Sequence, residues 1–227
     1  MPGPAGFGHD AGMTDAVAFI RANTRVESPA LVPELRLHLA TEITPLWQAT
    51  ETTLAANNLP PPFWAFPWAG GQALARHVLD HPGLVHGRRV LDFAAGSGIV
   101  ALAAAKAGAA SVAAAEIDAF AVAAIDLNAA LNGVAVETLC QDIVGRPQPG
   151  LEVLLVGDVC YERQLAERIM AWLKDLSAAG TTVLMGDPGR TYLPKQGLES
   201  VATYTVPTSR ELEDREFRET TVWRVPA

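Results

Sequence analysis

The chain has 227 residues, 49% of them hydrophobic, which suits one domain with a large core, with or without an N-terminal extension. A formal net charge of −8 argues against a broad nucleic-acid-binding surface. Two cysteines give no disulfide framework and favour a reducing cytoplasm, and the sequence shows neither the features of a signal peptide nor a membrane span. We therefore expect a cytoplasmic monomer that has neither nucleic acid nor a membrane as its partner.

Residues 1–60 predict an N-terminal extension that precedes a main domain at 61–227. Thr14 or Asp15 can cap a short helix that runs to Ala22. Leucines alternate with other residues over 35–40, which is the period of a strand. Pro45 predicts the first turn of a second short helix.

Residues 60–68 contain four prolines and four aromatic residues, a composition that excludes a regular helix or a central strand. We expect a stiff loop lined with aromatic rings, although each ring could equally pack over the core. The segment Ala69–Asp80 then predicts a helix, which Pro82 and Gly83 terminate.

Strands and helices alternate through the rest of the chain. The predicted strands are Arg89–Phe93, Ser111–Glu116, Val134–Leu139, Glu152–Val156 and Thr181–Met185, and helices are predicted at about 98–107, 119–132 and 161–176. Two further strands, Leu198–Val206 and Glu216–Val225, flank a charged stretch without a convincing helix. This order predicts an α/β fold with a doubly wound, mostly parallel, seven-stranded sheet and an antiparallel C-terminal strand pair at one edge.

The first strand of this series runs into a small-residue turn and an alanine-rich helix, an arrangement that holds nucleotide-like ligands. The stretch Gly96–Ala101 satisfies the dinucleotide pattern G-x-G-x-x-G/A. However, Asp92 at the strand end would face a pyrophosphate as a like charge. S-adenosylmethionine (SAM) has an ammonium and a sulfonium and fits better. A turn or N-cap role is the alternative for Asp92.

Polar residues follow the ends of the next predicted strands. Glu116 is placed to accept the hydroxyls of a ribose, and Asp142 to accept from an adenine amino group, although Asp142 could equally be an ordinary loop residue. Asp158 lies where transfer chemistry is expected and could also cap the following helix. Cys160 is a poor nucleophile candidate, since no histidine lies near it in sequence. Asp187 stands in a polar turn that would border the substrate side.

From about Leu31 to Val225 the chain resembles class I, seven-strand SAM-dependent methyltransferases, whose fold is Rossmann-like. More closely, it resembles the lysine methyltransferases that act on the electron transfer flavoprotein β subunit. The segments that carry the resemblance are Pro62–Ala65, Trp68–Gln72, the Asp92 turn, Glu116–Asp118, Gly157–Tyr161 and Gly186–Arg190. The aromatic loop together with the D-x-x-Y pattern at Asp158 is more specific than the generic SAM turn.

The resemblance implies a role for each matched residue. Asp158 and Tyr161 would be catalytic, and Phe63, Trp64 and Asp187 would line a substrate channel. SAM would be bound by Trp68, Asp92, Ala94, Gly96, Gly98, Glu116, Ile117, Asp142 and Asp158, and no metal is expected. Ala94 departs from the family, which often has glycine there for close approach to the cofactor.

A lysine substrate must lose its proton before it can accept a methyl group. With a pKa near 10.4, the neutral amine costs on the order of 4–5 kcal/mol at neutral pH. An apolar aromatic channel and the nearby sulfonium would lower that pKa, whereas Asp158 would raise it. We therefore expect Asp158 to capture and aim the lysine rather than act as a strong base, with Tyr161 shaping the channel.

Several alternatives stay open on the sequence alone. One is a SAM-binding protein without transfer activity, and the others are a ribosomal-protein methyltransferase and a small-amine N-methyltransferase. Amide methylation is disfavoured, because the N/D-P-P-Y/F pattern is faintly present only at Asn58–Phe63 and is missing after the fourth strand.

Overall fold

The computed structural model describes residues 9–41 and 61–227. Its helices are α1 (His9–Asn23), α2 (Ala69–Asp80), α3 (Ile99–Lys106), α4 (Ala119–Asn132), α5 (Arg163–Ala178) and the single-turn α6 (Arg210–Glu213). Its strands are β1 (Arg25–Glu27), β2 (Leu37–Leu39), β3 (Arg89–Phe93), β4 (Ser111–Glu116), β5 (Glu137–Cys140), β6 (Val153–Gly157), β7 (Thr182–Asp187), β8 (Glu199–Pro207) and β9 (Phe217–Val225). Short 3₁₀ turns at Phe63–Ala65 and Pro82–Leu84 lie on either side of α2.

The main sheet has seven strands in the order β5-β4-β3-β6-β7-β9-β8. Strands β3 to β7 are parallel to one another, while β9 is antiparallel to both β7 and β8. The predicted doubly wound, mostly parallel seven-stranded sheet with an antiparallel C-terminal pair is therefore confirmed. The last strand inserts next to β7 and leaves β8 at the edge.

Helices cover both faces of the sheet, and the central strand β6 has only apolar side chains for that reason. Adjacent residues of β6 point to opposite faces. Leu155 packs with Leu74 of α2 and Leu102 of α3, whereas Leu154 packs with Leu173 of α5. All five side chains are fully buried, so the sheet centre is a rigid platform for the loops at its carboxyl edge.

Both ends of α4 agree with the prediction. Asp118 caps α4 by accepting a hydrogen bond from the backbone N–H of Phe120, and Gly133 ends the helix in a left-handed conformation. The next strand begins at Glu137 rather than Val134, because the N–H of Val134 bonds to the carbonyl of Ala129 and completes the helix end first.

The N-terminal segment lies against the main domain. Helix α1 packs on α4, where the rings of Phe19 and Phe120 meet edge to face with centroids 5.4 Å apart. Strands β1 and β2 pair as a small antiparallel sheet, and the N–H of His38 in β2 donates to Asn128 in α4. The helix begins at His9, earlier than predicted, and β1 was not predicted because its three residues are all exposed.

The second short helix, predicted at Pro45, falls outside the described ranges. Among the helices in residues 9–41 and 61–227, none has the length and hydropathy needed to cross a bilayer.

Candidate functional site

A cavity that opens to solvent lies at the carboxyl edge of the sheet. The ends of β3 and β6 meet the start of α2 and the aromatic loop there. Its walls include the side chains or backbone of Phe66, Trp68, Asp92, Ala94, Gly96 and Asp158. Such an edge, where strand order reverses, is where open α/β sheets bind ligands.

The turn after β3 presents backbone to this cavity. Ala94, Gly96 and Gly98 all have left-handed backbone, with φ values of 53°, 54° and 78°. A Cβ atom built on Gly96 would meet nothing within 4 Å, so the space in front of the turn is free. The left-handed conformation costs an alanine on the order of 1–2 kcal/mol, which explains why glycine would suit the position of Ala94.

Asp92 is buried at the end of β3 and accepts a hydrogen bond at 2.8 Å from the backbone N–H of Ala101 in α3. Burial raises the pKa of Asp92 to about 8; the Ala101 N–H opposes the rise and the charge of Glu116 adds to it. Asp92 is not the N-cap residue of α3, which is Gly98, but one of its oxygens bonds to the first turn of that helix while the residue also lines the cavity.

Glu116, at the end of the neighbouring strand β4, is tied to the same turn. Its Oε1 accepts from the N–H of Gly96 at 2.7 Å, and its Oε2 from the N–H of Ile117 at 3.0 Å. Burial raises the pKa of this carboxyl as well. Within the described residues, neither Asp92 nor Glu116 has an ion-pair partner. The Ile117 side chain beside them is 75% exposed.

Asp142 follows β5 and has different partners. Its Oδ1 accepts from the N–H of Val144, and its Oδ2 pairs with Arg168 of α5 at 2.7 Å. The hydrogen bond from Arg168 holds the pKa of this exposed carboxyl below its usual range. An adenine amino group would compete with Arg168 for this carboxylate, and the contact stays a prediction.

Asp158 stands at the end of β6 with a left-handed φ of 55°. It does not cap α5, whose N-cap residue is Glu162. Oδ1 of Asp158 accepts from Nε and Nη2 of Arg190 at 3.0 and 2.7 Å, and Oδ2 accepts from the N–H of Gly71 at 3.1 Å. Burial raises the pKa of Asp158 to about 6, and the charge of Arg190 opposes that rise.

The glycines at the start of α2 permit this contact. A Cβ on Gly70 would overlap both the carbonyl oxygen of Gly186 and Oδ2 of Asp158, and a Cβ on Gly157 would lie 3.2 Å from Gly71. Side chains at these positions would push α2 off the ends of β6 and β7. These glycines lie in segments that carry the family resemblance, but the sequence alone does not predict their packing role.

Arg190, in the turn after β7, is held by a residue that the sequence analysis did not single out. Its Nη1 and Nη2 donate to Oε2 and Oε1 of Glu213 at 2.8 and 2.6 Å. The Glu213 side chain is 1% exposed and also accepts from Nε of Arg218. Glu213 looked like one member of an ordinary charged surface stretch, and only the tertiary fold turns it inward.

Three aromatic side chains, Phe63, Trp68 and Tyr161, form what we call the aromatic rim. The Phe63 ring lies 6.1 Å from Trp68 and 6.0 Å from Tyr161, and Nε1 of Trp68 donates to the carbonyl of Phe63. Phe63 and Tyr161 are each 51% exposed. The guanidinium of Arg190 lies 5.7 Å from the Trp68 ring centre, which connects the rim to Asp158.

Two predicted channel residues are buried. Trp64 is 2% exposed and packs in a cluster with residues of α1 and α4, because the short turn at Phe63–Ala65 directs it inward. Asp187 is 1% exposed, and its Oδ1 accepts from the N–H groups of Gly189 and Arg190. Asp187 therefore shapes the turn that carries Arg190, and neither side chain presents a surface to a channel.

Cys160 lies beneath Asp158 and is fully buried. Burial raises the pKa of its thiol to about 12, and the charges of Asp187 and Asp158 add to this. A thiol with that pKa is protonated at neutral pH and cannot serve as a nucleophile, which agrees with the sequence-based expectation.

Comparison with known proteins gives one partial and several extended similarities. A family model described as ribosomal protein L11 methyltransferase (PrmA) matches residues 74–178. The electron transfer flavoprotein beta subunit lysine methyltransferase of Xenopus laevis is 35% identical, over 91% of this chain and 85% of that protein. The protein of the same name from Homo sapiens is 36% identical, over 91% of this chain and 80% of that protein.

Solved structures show the same fold at lower identity. Magnesium protoporphyrin IX methyltransferase from Synechocystis, solved with bound SAM, superposes with a TM-score of 0.52 at 20% identity, covering 69% of this chain and 79% of that one. The tRNA (uracil-54, C5)-methyltransferase of Pyrococcus abyssi gives a TM-score of 0.50 at 16% identity, over 66% of this chain and 38% of that one.

Proposed function

Since the chain belongs to the family of electron transfer flavoprotein beta subunit lysine methyltransferases, we propose that it methylates lysine side chains of that flavoprotein subunit, with SAM as the methyl donor. The observation that carries the proposal is the identity of about 35% over 91% of the chain. The geometry of the site supports the cofactor and the acceptor separately.

The residues around the turn after β3 fit SAM. Asp92 and Glu116 are carboxylates without arginine or lysine partners in the described part of the chain, so they favour a ligand that brings positive charge. Glu116 would accept the ribose hydroxyls, and the exposed Ile117 offers an apolar face to the adenine. The free space in front of Gly96 allows the ligand to approach the backbone closely.

When bound, SAM supplies a methyl group on a positively charged sulfur. The protein's own residues must then hold a neutral lysine amine in line with that group. The aromatic rim would surround the apolar part of the lysine and limit water, which favours the neutral amine. Oδ2 of Asp158 would accept an N–H of the amine and aim its lone pair, and the excess proton would leave to solvent.

Asp158 aims the amine and is a weak base. Burial raises its pKa to about 6, far below the value of a lysine ammonium, so it is mostly ionised and protonates poorly at neutral pH. Its partner Arg190 keeps it ionised without making it a stronger base. Tyr161 stands at the rim, where its ring contacts Phe63 and its hydroxyl can reach solvent or substrate.

The test is to incubate the enzyme with SAM and purified flavoprotein and to map mass gains of one, two or three methyl groups by peptide mass spectrometry. Asp158→Ala should abolish these gains and keep measurable SAM affinity. The matched control is Asp175→Ala, which removes an exposed aspartate of α5 and should leave the gains unchanged. Methylation of a ribosomal protein alone, or of no protein, would contradict the proposed substrate.

A further inference from the structure

The guanidinium of Arg190 joins carboxylates from two different parts of the fold. Nε and Nη2 donate to Oδ1 of Asp158, while Nη1 and Nη2 donate to the two oxygens of Glu213. Four of its five N–H groups are therefore engaged. Because the guanidinium is planar, two such paired contacts leave it a single orientation.

The partners of Arg190 are themselves held in place. Glu213 is buried, its carboxylate accepts a further bond from Arg218 of β9, and its backbone N–H bonds to the carbonyl of Ser209. The centre of the Trp68 ring lies 5.7 Å from the guanidinium carbon of Arg190. The aromatic loop and the β8–β9 connection thus both fix Arg190.

This arrangement determines which oxygen of Asp158 is available. Oδ1 receives two N–H groups from Arg190, which occupy both of its lone pairs. Oδ2 receives one N–H, from Gly71, and keeps one lone pair. Asp158 lines the cavity, and Oδ2 is the oxygen that has capacity for a further donor.

We propose that Arg190, anchored by Glu213, is a positioning residue that reserves Oδ2 of Asp158 for the N–H of the acceptor amine. The inference rests on the proposed function, since it presumes a lysine acceptor. Arg190 acts through Asp158 and need not touch the substrate. Replacing it should free the carboxylate to rotate, and should also remove the charge that keeps it ionised.

Several charged or titratable groups surround Asp158. Arg190 opposes protonation, whereas Asp187 and Glu213 favour it. Arg218 pairs with Glu213. Burial raises the pKa values of the flanking Cys160 and Tyr161, so both stay neutral near pH 7. Without Arg190, the remaining anions and burial would make Asp158 hold a proton at higher pH.

The experiment measures kcat/KM for flavoprotein methylation against pH at saturating SAM. For the wild type, the logarithm should rise with a slope of two below the pKa of Asp158 and a slope of one above it, because lysine deprotonation contributes throughout. Arg190→Gln should move this bend upward by about one pH unit and lower kcat/KM at least about tenfold. Arg190→Lys should keep the bend near the wild-type pH and lose about tenfold in kcat.

The matched control is Arg210→Gln, which breaks an exposed ion pair with Glu216 in the same β8–β9 connection and should change neither bend nor rate. SAM affinity should be equal in all four proteins. An Arg190→Gln variant with an unmoved bend would overturn the inference and leave Arg190 a structural residue. If Arg190→Gln does not fold, full activity of Arg190→Lys overturns it instead, since a lysine cannot make both paired contacts.

The proposed function and this inference fail in different ways. A wild-type enzyme that binds SAM but methylates no flavoprotein would contradict both the proposed function and the inference. If the wild type methylates the flavoprotein and the Arg190 variants match Arg210→Gln in rate and pH profile, only the inference is contradicted.

Discussion

The two halves of the site give their carboxylates different partners. At the ends of β3 and β4, the hydrogen bonds of Asp92 and Glu116 come from backbone N–H groups. At the end of β6, Asp158 is paired with the guanidinium of Arg190. Asp92 and Glu116 therefore have no cationic partner in the described residues, and burial raises their pKa values, so a cation that enters the cavity would favour their ionised forms. The negative charge of Asp158 is already compensated by Arg190 before any substrate arrives.

This difference suits two separate tasks. A cationic ligand gains most where a carboxylate has no cationic partner, which describes the β3–β4 side. A lysine that must be neutral to react would be held back by a free carboxylate, so an arginine-paired one such as Asp158 is the better guide. The comparison predicts that changes on one side will alter binding and changes on the other will alter transfer.

The largest effect is expected from Gly70→Ala on the β6–β7 side. Its Cβ would overlap Gly186 and Asp158, so α2 must shift or the carboxylate must turn away. We expect a loss of about 3 kcal/mol in the free energy of unfolding, with little transfer activity left. Urea denaturation at fixed pH measures the loss.

Gly83→Ala is the control for this change. Gly83 lies in the 3₁₀ turn after α2, and an added Cβ there meets nothing within 4 Å. Its free energy of unfolding should stay within about 1 kcal/mol of wild type. Equal stability of the two variants would show that α2 does not need its close approach to the sheet.

The pH dependence of stability tests the β3–β4 side in the absence of ligand. The pKa of Asp92 is raised to about 8, so the folded state binds more protons than the unfolded state below that pH. Its contribution to stability therefore falls as the pH rises through the range between its ordinary pKa and about 8. Asp92→Asn keeps an acceptor for Ala101 and removes the titration.

As the pH rises from about 5 to about 9, the unfolding free energy of Asp92→Asn should increase relative to that of wild type by on the order of 3 kcal/mol. Paired urea titrations at both pH values measure this difference, in which groups common to both proteins cancel. If the two proteins differ in unfolding free energy by the same amount at both pH values, burial does not raise the pKa of Asp92. The same variant should bind SAM more weakly, because an asparagine cannot ionise to pair with the positive charge of SAM.

A smaller effect is expected at the aromatic rim, which connects the two sides. Trp68→Phe removes the hydrogen bond to the carbonyl of Phe63 and part of the surface against Arg190. We expect kcat/KM to fall about tenfold, from roughly 1–2 kcal/mol of lost interactions, with thermal stability nearly unchanged. Trp223→Phe is the comparison, since the buried Nε1 of Trp223 has no hydrogen-bond partner in the described structure. Equal rates for the two variants would mean that Trp68 contributes only to packing.

Sequence patterns predicted the β3–β4 side better than the β6–β7 side, for a physical reason. The strand, glycine turn and helix around Asp92 are neighbours in sequence, and Asp118 and Gly133 mark the helix ends by local hydrogen bonds. Parallel pairing then places Glu116 next to the turn. Each step depends on residues a few positions apart.

The β6–β7 side depends on contacts between distant parts of the chain. Glu213 reaches Arg190 because β9 returns between β7 and β8 and carries the connection back to the site. Gly71 reaches Asp158 across 87 positions of sequence. The aromatic loop has no period that could separate the core residue Trp64 from the exposed Phe63. No local signal distinguishes these residues from an ordinary charged or apolar stretch.

The division between the two sides is tested most directly by the single-turnover rate of flavoprotein methylation as a function of SAM concentration, measured for wild type, Glu116→Ala and Asp158→Ala. Glu116→Ala should raise the half-saturating SAM concentration by a factor equivalent to about 1–3 kcal/mol and leave the maximal rate near that of wild type. Asp158→Ala should keep the half-saturating concentration and lose nearly all of the maximal rate. If both variants instead weaken SAM binding equally and transfer at the wild-type maximal rate, the two sides do not divide the work, and Asp158 is only a cofactor ligand.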